Sequence, residues 1–218
     1  MSQLTIYGTP VSSNARKVMM VALHLDLDAE VRIIDVYQGE GTAPEYLKVN
    51  PFGKVPSLVD GDFVLSESNA IMQYLDEAYG GYRLSSPDPK LRADLARWMY
   101  WEAAHWQPAW THMMRPLVGH AVRPDLFHKP TEPPNWENDA LARLLPYLEQ
   151  RLDQKEWLVG DQLTLADFSV SAMMTYARIG GMPLDKTPAI QAWFERVEAL
   201  DAWKETRVPL WEPDMDTP

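Results

Sequence analysis

The sequence predicts an α/β unit followed by an all-helical one, and three observations carry that expectation. Short strand-like runs and helical stripes alternate up to about residue 78. Gly80, Gly81 and Pro87 then break the pattern, and beyond them every apolar repeat has the helical period. The expected limits are 1–79 for the first unit, 80–87 for a linker and 88–218 for the helical unit.

In order, Leu4 to Tyr7 reads as a strand ended by Gly8-Thr9-Pro10. Val18, Val21, Ala22 and Leu25 fall on one face of a helix, and Glu30 to Asp35 reads as a second strand. A helix between two strands implies a right-handed crossover and a parallel pair. Gln38 to Lys48 is a polar loop with a short helix after Pro44. Val55 to Val59 and Phe63 to Leu65 flank Asp60-Gly61-Asp62, a hairpin signal because glycine accepts the positive φ of such turns. A helix starts at Ser66 or Glu67 and buries Ala70, Ile71, Tyr74 and Leu75. The order is β-α-β-α-β-β-α, which resembles a thioredoxin-type domain.

In the second unit, Asp88 to about Met114 reads as one long helix, kinked where Pro108 removes a hydrogen bond to Ala104. Pro116, Pro124, Pro130, Pro133 and Pro134 mark a poorly helical connection. Leu141, Leu144, Leu145, Leu148 and Leu152 form a helical stripe, as do Ile190, Trp193, Phe194 and Val197. Between them, Thr164 with Asp167 reads as a capping box that starts a buried helix over Leu165 to Met174.

The chain has 218 residues, net charge −11 and no cysteine. That charge argues against nucleic acid and anionic membrane surfaces as partners. No apolar run reaches bilayer length, and a cytoplasmic protein is expected. Without cysteine the chain has no disulfide, no thiolate metal site and no thiol nucleophile of its own. His105 and His112 lack the clustered third ligand that a metal would need, so no metal is expected.

The stretch Asn50 to Leu75, NPFGKVPSLVDGDFVLSESNAIMQYL, has features of a binding site. The free N–H groups of its helix start favour an anion, Ser68 adds a hydroxyl, and Glu67 can receive an ammonium. Together they suit the zwitterionic end of an amino acid; the alternative is that these residues only cap the helix. The stretch resembles the glutathione-binding half of cytosolic glutathione transferases, whose pattern NPxGKVPxLxDGxxxLxESxAIxxYL it follows at sixteen positions from Asn50 to Leu75. The resemblance implies a thioredoxin-like domain followed by the family's all-helical domain. It also implies glutathione as co-substrate, with Glu67 and Ser68 at its γ-glutamyl end. The backbone of Val55, presented by a cis Pro56, would meet the cysteinyl amide, and Lys54 the glycyl carboxylate. Relatives often carry a histidine or lysine for that carboxylate just after the position of Gly39-Glu40, where this chain has Gly41 and Thr42.

The resemblance also directs attention to YGTPVSSNARKV, Tyr7 to Val18. Serine-type classes such as theta and phi place their serine four residues before an arginine, and Arg16 then selects Ser12. Nu-like bacterial relatives show a Thr-Pro-Asn-Gly-x-Lys-Val pattern, which Ser12, Asn14, Lys17 and Val18 follow in spacing. Both alignments converge on Ser12 as the group that holds the glutathione thiolate, with Asn14 second and Ser13 third. Tyr7, the tyrosine-type position, ranks below them, and Ser12 to Asn14 read without the resemblance are a helix cap.

An electrophile is expected on an aromatic and methionine wall of Trp106, Trp110 and Met113, with His105 beside it. The alternative for each is core packing. The resemblance implies a homodimer. A glutathione-dependent disulfide reductase or peroxidase of nu-like type and a non-catalytic interaction protein on the same fold remain as alternatives.

Overall fold

The computed structural model describes residues 4–208; the expected unit ends at residues 1 and 218 lie outside them. Four strands form one sheet in the order β2-β1-β3-β4. β1 (Leu4–Gly8) pairs in parallel with β2 (Ala29–Ile33), with Leu4 opposite Ala29. It pairs antiparallel with β3 (Ser57–Asp60), which turns at Gly61 into β4 (Phe63–Ser66). Gly61 has φ +62, the conformation expected of the hairpin glycine. Val55 and Pro56 fall outside the ladder, so β3 starts two residues later than the alternation suggests. Pro56 has no N–H to offer a neighbouring strand.

The parallel pair is connected through α1 (Ser13–His24), whose residues from Ala15 to Ala22 are all buried. An amphipathic helix was the expectation, with one apolar face. The helix is instead enclosed on more than one side, because it packs against α3 (Ser68–Leu75) and also against helices of the second unit. This explains how Arg16 and Lys17 come to be buried. The Arg16 guanidinium stacks 4.0 Å over the Trp203 ring and donates to Trp203 O and Thr206 Oγ1. A short helix α2 (Pro44–Leu47) lies in the connection to β3.

The second unit is helical throughout its described part: α4 (Pro89–Trp101), α5 (Gln107–Val122), α6 (Leu141–Leu152), α7 (Leu165–Met173), α8 (Pro188–Glu198) and α9 (Asp201–Glu205). The predicted kink at Pro108 takes the form of a π-helical turn, Glu102–Trp106, that ends as α5 begins with Pro108 in its first turn. α5 then continues through Pro116 to Val122, beyond the expected end near Met114. The capping box is present at α7. Asp167 accepts from Thr164 N (2.8 Å) and Thr164 Oγ1 (2.9 Å), and also from Leu158 N and Trp193 Nε1, both at 2.9 Å. One carboxylate thus joins the start of α7, the preceding loop and α8. No helix among the described residues is long and apolar enough to cross a membrane.

Candidate active site

The loop after β1 delivers Ser12 to the N-cap of α1. Its N–H bonds back to Thr9 O, its carbonyl accepts from Arg16 N, and its Oγ accepts from Ala15 N at 3.4 Å. A hydroxyl has two acceptor lone pairs and one donor. Capping uses only an acceptor, so the Ser12 O–H stays available to donate. The cap reading and the sulfur-ligand reading are therefore compatible in the same side chain.

Asn14, in the first turn of α1, reaches across to α3: its Oδ1 accepts from Ser68 Oγ at 3.2 Å. Asn14 and Ser68 line one cleft of about 320 Å³ together with Lys54, Val55, Pro56 and Glu67. Six of the residues singled out from the sequence thus converge, although 54 positions separate Asn14 from Ser68. Ser12 is not among the lining residues and sits two residues before Asn14, at the helix start.

Local bonding fixes the cleft walls. The Lys54 carbonyl accepts from Tyr46 Oη (2.5 Å) and Asn50 Nδ2 (2.8 Å), and both donors also contact Ser57 Oγ. These bonds orient the backbone entering the cis Val55–Pro56 peptide. Gly41 packs against the same segment, where a Cβ would lie 2.3 Å from Gly53 O. The position at which the resemblance leads one to expect a basic side chain is thus closed by backbone, and Thr42 turns its hydroxyl to Gly39 O. Neither Gly41 nor Thr42 lines the cleft, whereas the exposed Lys54 does.

At the opposite wall, Glu67 has φ +70, a region unfavourable for a residue with a Cβ. No side chain caps α3: Ser68 Oγ is turned to Asn14, and Glu67 makes no cap bond. The first N–H groups of α3 are therefore not satisfied by a cap at the end that carries Glu67 and Ser68. Asn69 lines the cleft next to them and is anchored from the helical unit. Its Nδ2 donates to Met99 O (3.0 Å) and Glu102 Oε2 (3.1 Å), and its Oδ1 accepts from Ser169 Oγ (2.9 Å). Behind it Lys17 and Glu102 form a fully buried ion pair at 3.0 Å. Burial pushes the Lys17 ammonium below its ordinary pKa, and the Glu102 and Glu67 carboxylates partly offset that push.

Sequence reasoning did not single out Lys17, Asn50, Asn69, Glu102, Ala103 or Gln107 for the cleft and its backing. One signal was present for one of them: Glu102 is a charge set within an otherwise apolar run, Trp98 to Ala104.

The expected electrophile wall is corrected by burial. Trp106 and Trp110 are 0% and 2% exposed and stack in a chain of indoles with Trp101 and Trp136. The Trp106 indole N–H is spent on Val170 O (3.1 Å). Their shared helical face is the one turned to the core. Met113 and His105 line two other clefts, one beside the Pro-rich segment 129–134 and one against α6. What α5 and the π-turn present to the Asn14 cleft is Ala103 and Gln107. Among the described residues, no three His, Asp or Glu side chains are grouped so as to hold a metal ion.

Comparison with known proteins identifies the family. The model of the glutathione S-transferase N-terminal domain matches residues 6–83, and that of the C-terminal domain matches residues 107–201. The chain is 33% identical to glutathione S-transferase 3 of Zea mays over 224 residues, 98% of each chain. It is 32% identical to human glutathione S-transferase theta-2 over 90% of this chain and 81% of that one. Among solved structures, a glutathione transferase homologue from Drosophila mojavensis with bound glutathione superposes with a TM-score of 0.80 at 31% identity, covering 94% and 92% of the two chains. Glutathione transferase F7 of Populus trichocarpa superposes with a TM-score of 0.81 at 26% identity, covering 93% and 97%. On its sequence, its fold and the residues gathered at this cleft, the chain belongs to the glutathione S-transferase family.

Proposed function

We propose that the chain is a serine-type glutathione transferase that holds the glutathione thiolate at Ser12 and joins it to a hydrophobic electrophile. The observation that carries this reading is the convergence of Asn14, Lys54, Val55, Pro56, Glu67 and Ser68 on one cleft at the start of α1. The γ-glutamyl carboxylate meets the α3 N-terminus and Ser68, and its ammonium meets Glu67. The backbone of Val55 pairs with the cysteinyl amide, and Lys54 takes the glycyl carboxylate. The sulfur then lies at the start of α1, where the Ser12 O–H and the helix dipole favour the thiolate over the thiol.

The thiol proton passes to solvent, the sulfur forms a bond to the electrophilic carbon, and the leaving group departs with its electron pair. The protein contributes orientation and stabilisation of S⁻. Residues 1–79 act as the glutathione-binding domain and 88–218 as the helical domain, joined at 80–87. The working unit is a cytoplasmic homodimer.

The cleft position of Asn14 supports a second reading, reduction of disulfides or peroxides with glutathione, because the nu-like pattern uses an asparagine near the sulfur. Parallel assays with 1-chloro-2,4-dinitrobenzene and 2-hydroxyethyl disulfide separate the two. Faster turnover of the aryl halide supports conjugation, and faster turnover of the disulfide selects the second reading. A folded chain that fails to bind glutathione in calorimetry contradicts both and leaves the non-catalytic alternative.

A further inference from the structure

Asn14 and Ser68 meet across the cleft through a single hydrogen atom. Ser68 Oγ donates to Asn14 Oδ1 at 3.2 Å, and both side chains line the space assigned above to glutathione. A serine hydroxyl has one hydrogen to give and two lone pairs that accept, whereas an ionised carboxylate only accepts. Ser68 therefore cannot donate to a γ-glutamyl carboxylate and to Asn14 at once. Among the described residues the Asn14 carboxamide bonds to Ser68 alone, so its Nδ2 has no acceptor of its own.

The surroundings leave the choice to side-chain rotation. The first turn of α3 is held by Asn69, which donates to Met99 O and Glu102 Oε2 and accepts from Ser169 Oγ. The start of α1 is held on both sides of Asn14. Ser12 N is bonded to Thr9 O, and the Arg16 guanidinium is fastened to Trp203 O and Thr206 Oγ1. Ser68 is buried and Asn14 half-buried. Neither helix has to move for the Ser68 hydroxyl to turn from one acceptor to the other.

Charge decides between the acceptors. A hydrogen bond to an ionised carboxylate is roughly twice as strong as one between neutral groups. An arriving carboxylate thus draws the Ser68 O–H away from the amide oxygen. Asn14, released, is free to rotate and to direct its Nδ2 hydrogens to a sulfur at the start of α1.

We infer that Ser68 is a one-hydrogen switch, whose turn from Asn14 Oδ1 to the γ-glutamyl carboxylate frees Asn14 to act on the sulfur. This rests on the reading that glutathione lies in the cleft with that carboxylate at Ser68. The amino-acid end is read before Asn14 reaches the thiolate, so a thiol without the γ-glutamyl carboxylate gains nothing from Asn14.

Calorimetry with S-methylglutathione isolates the switch, because that ligand keeps the γ-glutamyl carboxylate and has no thiol for Asn14 to assist. Wild type, Asn14→Ala, Ser68→Ala and the double variant form a cycle. Asn14→Ala should bind S-methylglutathione about fivefold more tightly than wild type, the factor expected of one hydrogen bond that no longer has to be broken. Adding Asn14→Ala to Ser68→Ala should change nothing. A merely structural role for Asn14 would not produce a gain that depends on the Ser68 hydroxyl. Equal or weaker binding by Asn14→Ala overturns the inference; weaker binding is the result expected if the carboxamide is turned over and Nδ2 donates to Ser68 Oγ. A gain of the same size in the Ser68→Ala background overturns it as well. Failure of wild type to bind either glutathione or S-methylglutathione would instead overturn the reading on which the inference rests.

Discussion

Lys17 Nζ lies 3.0 Å from Glu102 Oε2 with both side chains fully buried, so a single ion pair joins α1 to the turn between α4 and α5. Glu102 Oε2 also accepts from Asn69 and Ser169, and Asn69 stands next to Ser68 in the cleft. Removing the cation alone strands a carboxylate in the interior. Lys17→Met should therefore lower stability by about 3–5 kcal/mol, whereas Lys17→Met with Glu102→Leu should lose much less. Urea unfolding of the two variants makes the comparison; equal losses would show that the pair is not the source.

Gly41 sets a geometric limit on the wall that carries Lys54 and Val55. A Cβ there meets the Gly53 carbonyl oxygen at 2.3 Å, and that oxygen is backbone that cannot rotate away. Gly41→His, which installs one of the basic side chains that the resemblance leads one to expect, should not improve glutathione binding. It should push on the segment that carries Lys54 and Val55, weaken binding, and cost about 1–3 kcal/mol of stability. Titration of the variant with glutathione decides the matter, and tighter binding would refute the account of this wall.

Trp106 is core. Trp106→Ala should cost about 3–5 kcal/mol in denaturant unfolding, from the lost indole and the unpaired Val170 carbonyl. Among properly folded molecules the ranking of electrophiles should not change. A changed ranking with little loss of stability would return this residue to the substrate site.

That correction shows where sequence reading stops. The Asn50 to Leu75 stretch was legible because its hairpin glycine, prolines and helix start depend on local chemistry, and they brought five cleft residues with them. Spacing also placed Trp106, Trp110 and Met113 on one face of a helix, but spacing does not say whether that face meets a ligand or a neighbouring helix. Burial of Trp106 and Trp110 depends on α7, through Val170, and on Trp136, which arrive from elsewhere in the chain. Lys17, Asn69 and Glu102 escaped for the same reason. Their role arises from contacts between the two units, and the one local signal is the charge of Glu102 among aromatic residues and alanines. α5 runs past the expected end because Pro116 and His112 lie on its exposed side, where water can satisfy the His112 carbonyl that Pro116 leaves without a donor.

His24, in the last turn of α1, lies edge-on to Phe168 with ring centroids 5.5 Å apart. Burial lowers its pKa below 6.5, and nearby Arg83 adds to the effect. Between that lowered value and 6.5 the unfolded chain binds a proton that the folded chain does not. Stability should therefore rise with pH through the window ending near 6.5, and the contribution should be absent above it. His24→Gln should flatten this rise in urea melts taken at stepped pH; an unchanged slope would assign it to other groups.

Whether Ser12 holds the sulfur is decided by the thiol pKa of bound glutathione. The thiolate's ultraviolet absorbance, followed against pH at saturating glutathione, gives that value for wild type, Ser12→Ala and Asn14→Ala. Wild type should lower the thiol pKa of bound glutathione. Ser12→Ala should return it most of the way towards the free value while glutathione still binds, and Asn14→Ala should move it less. A thiol pKa in Ser12→Ala equal to that of wild type would contradict the assignment of the thiolate to Ser12.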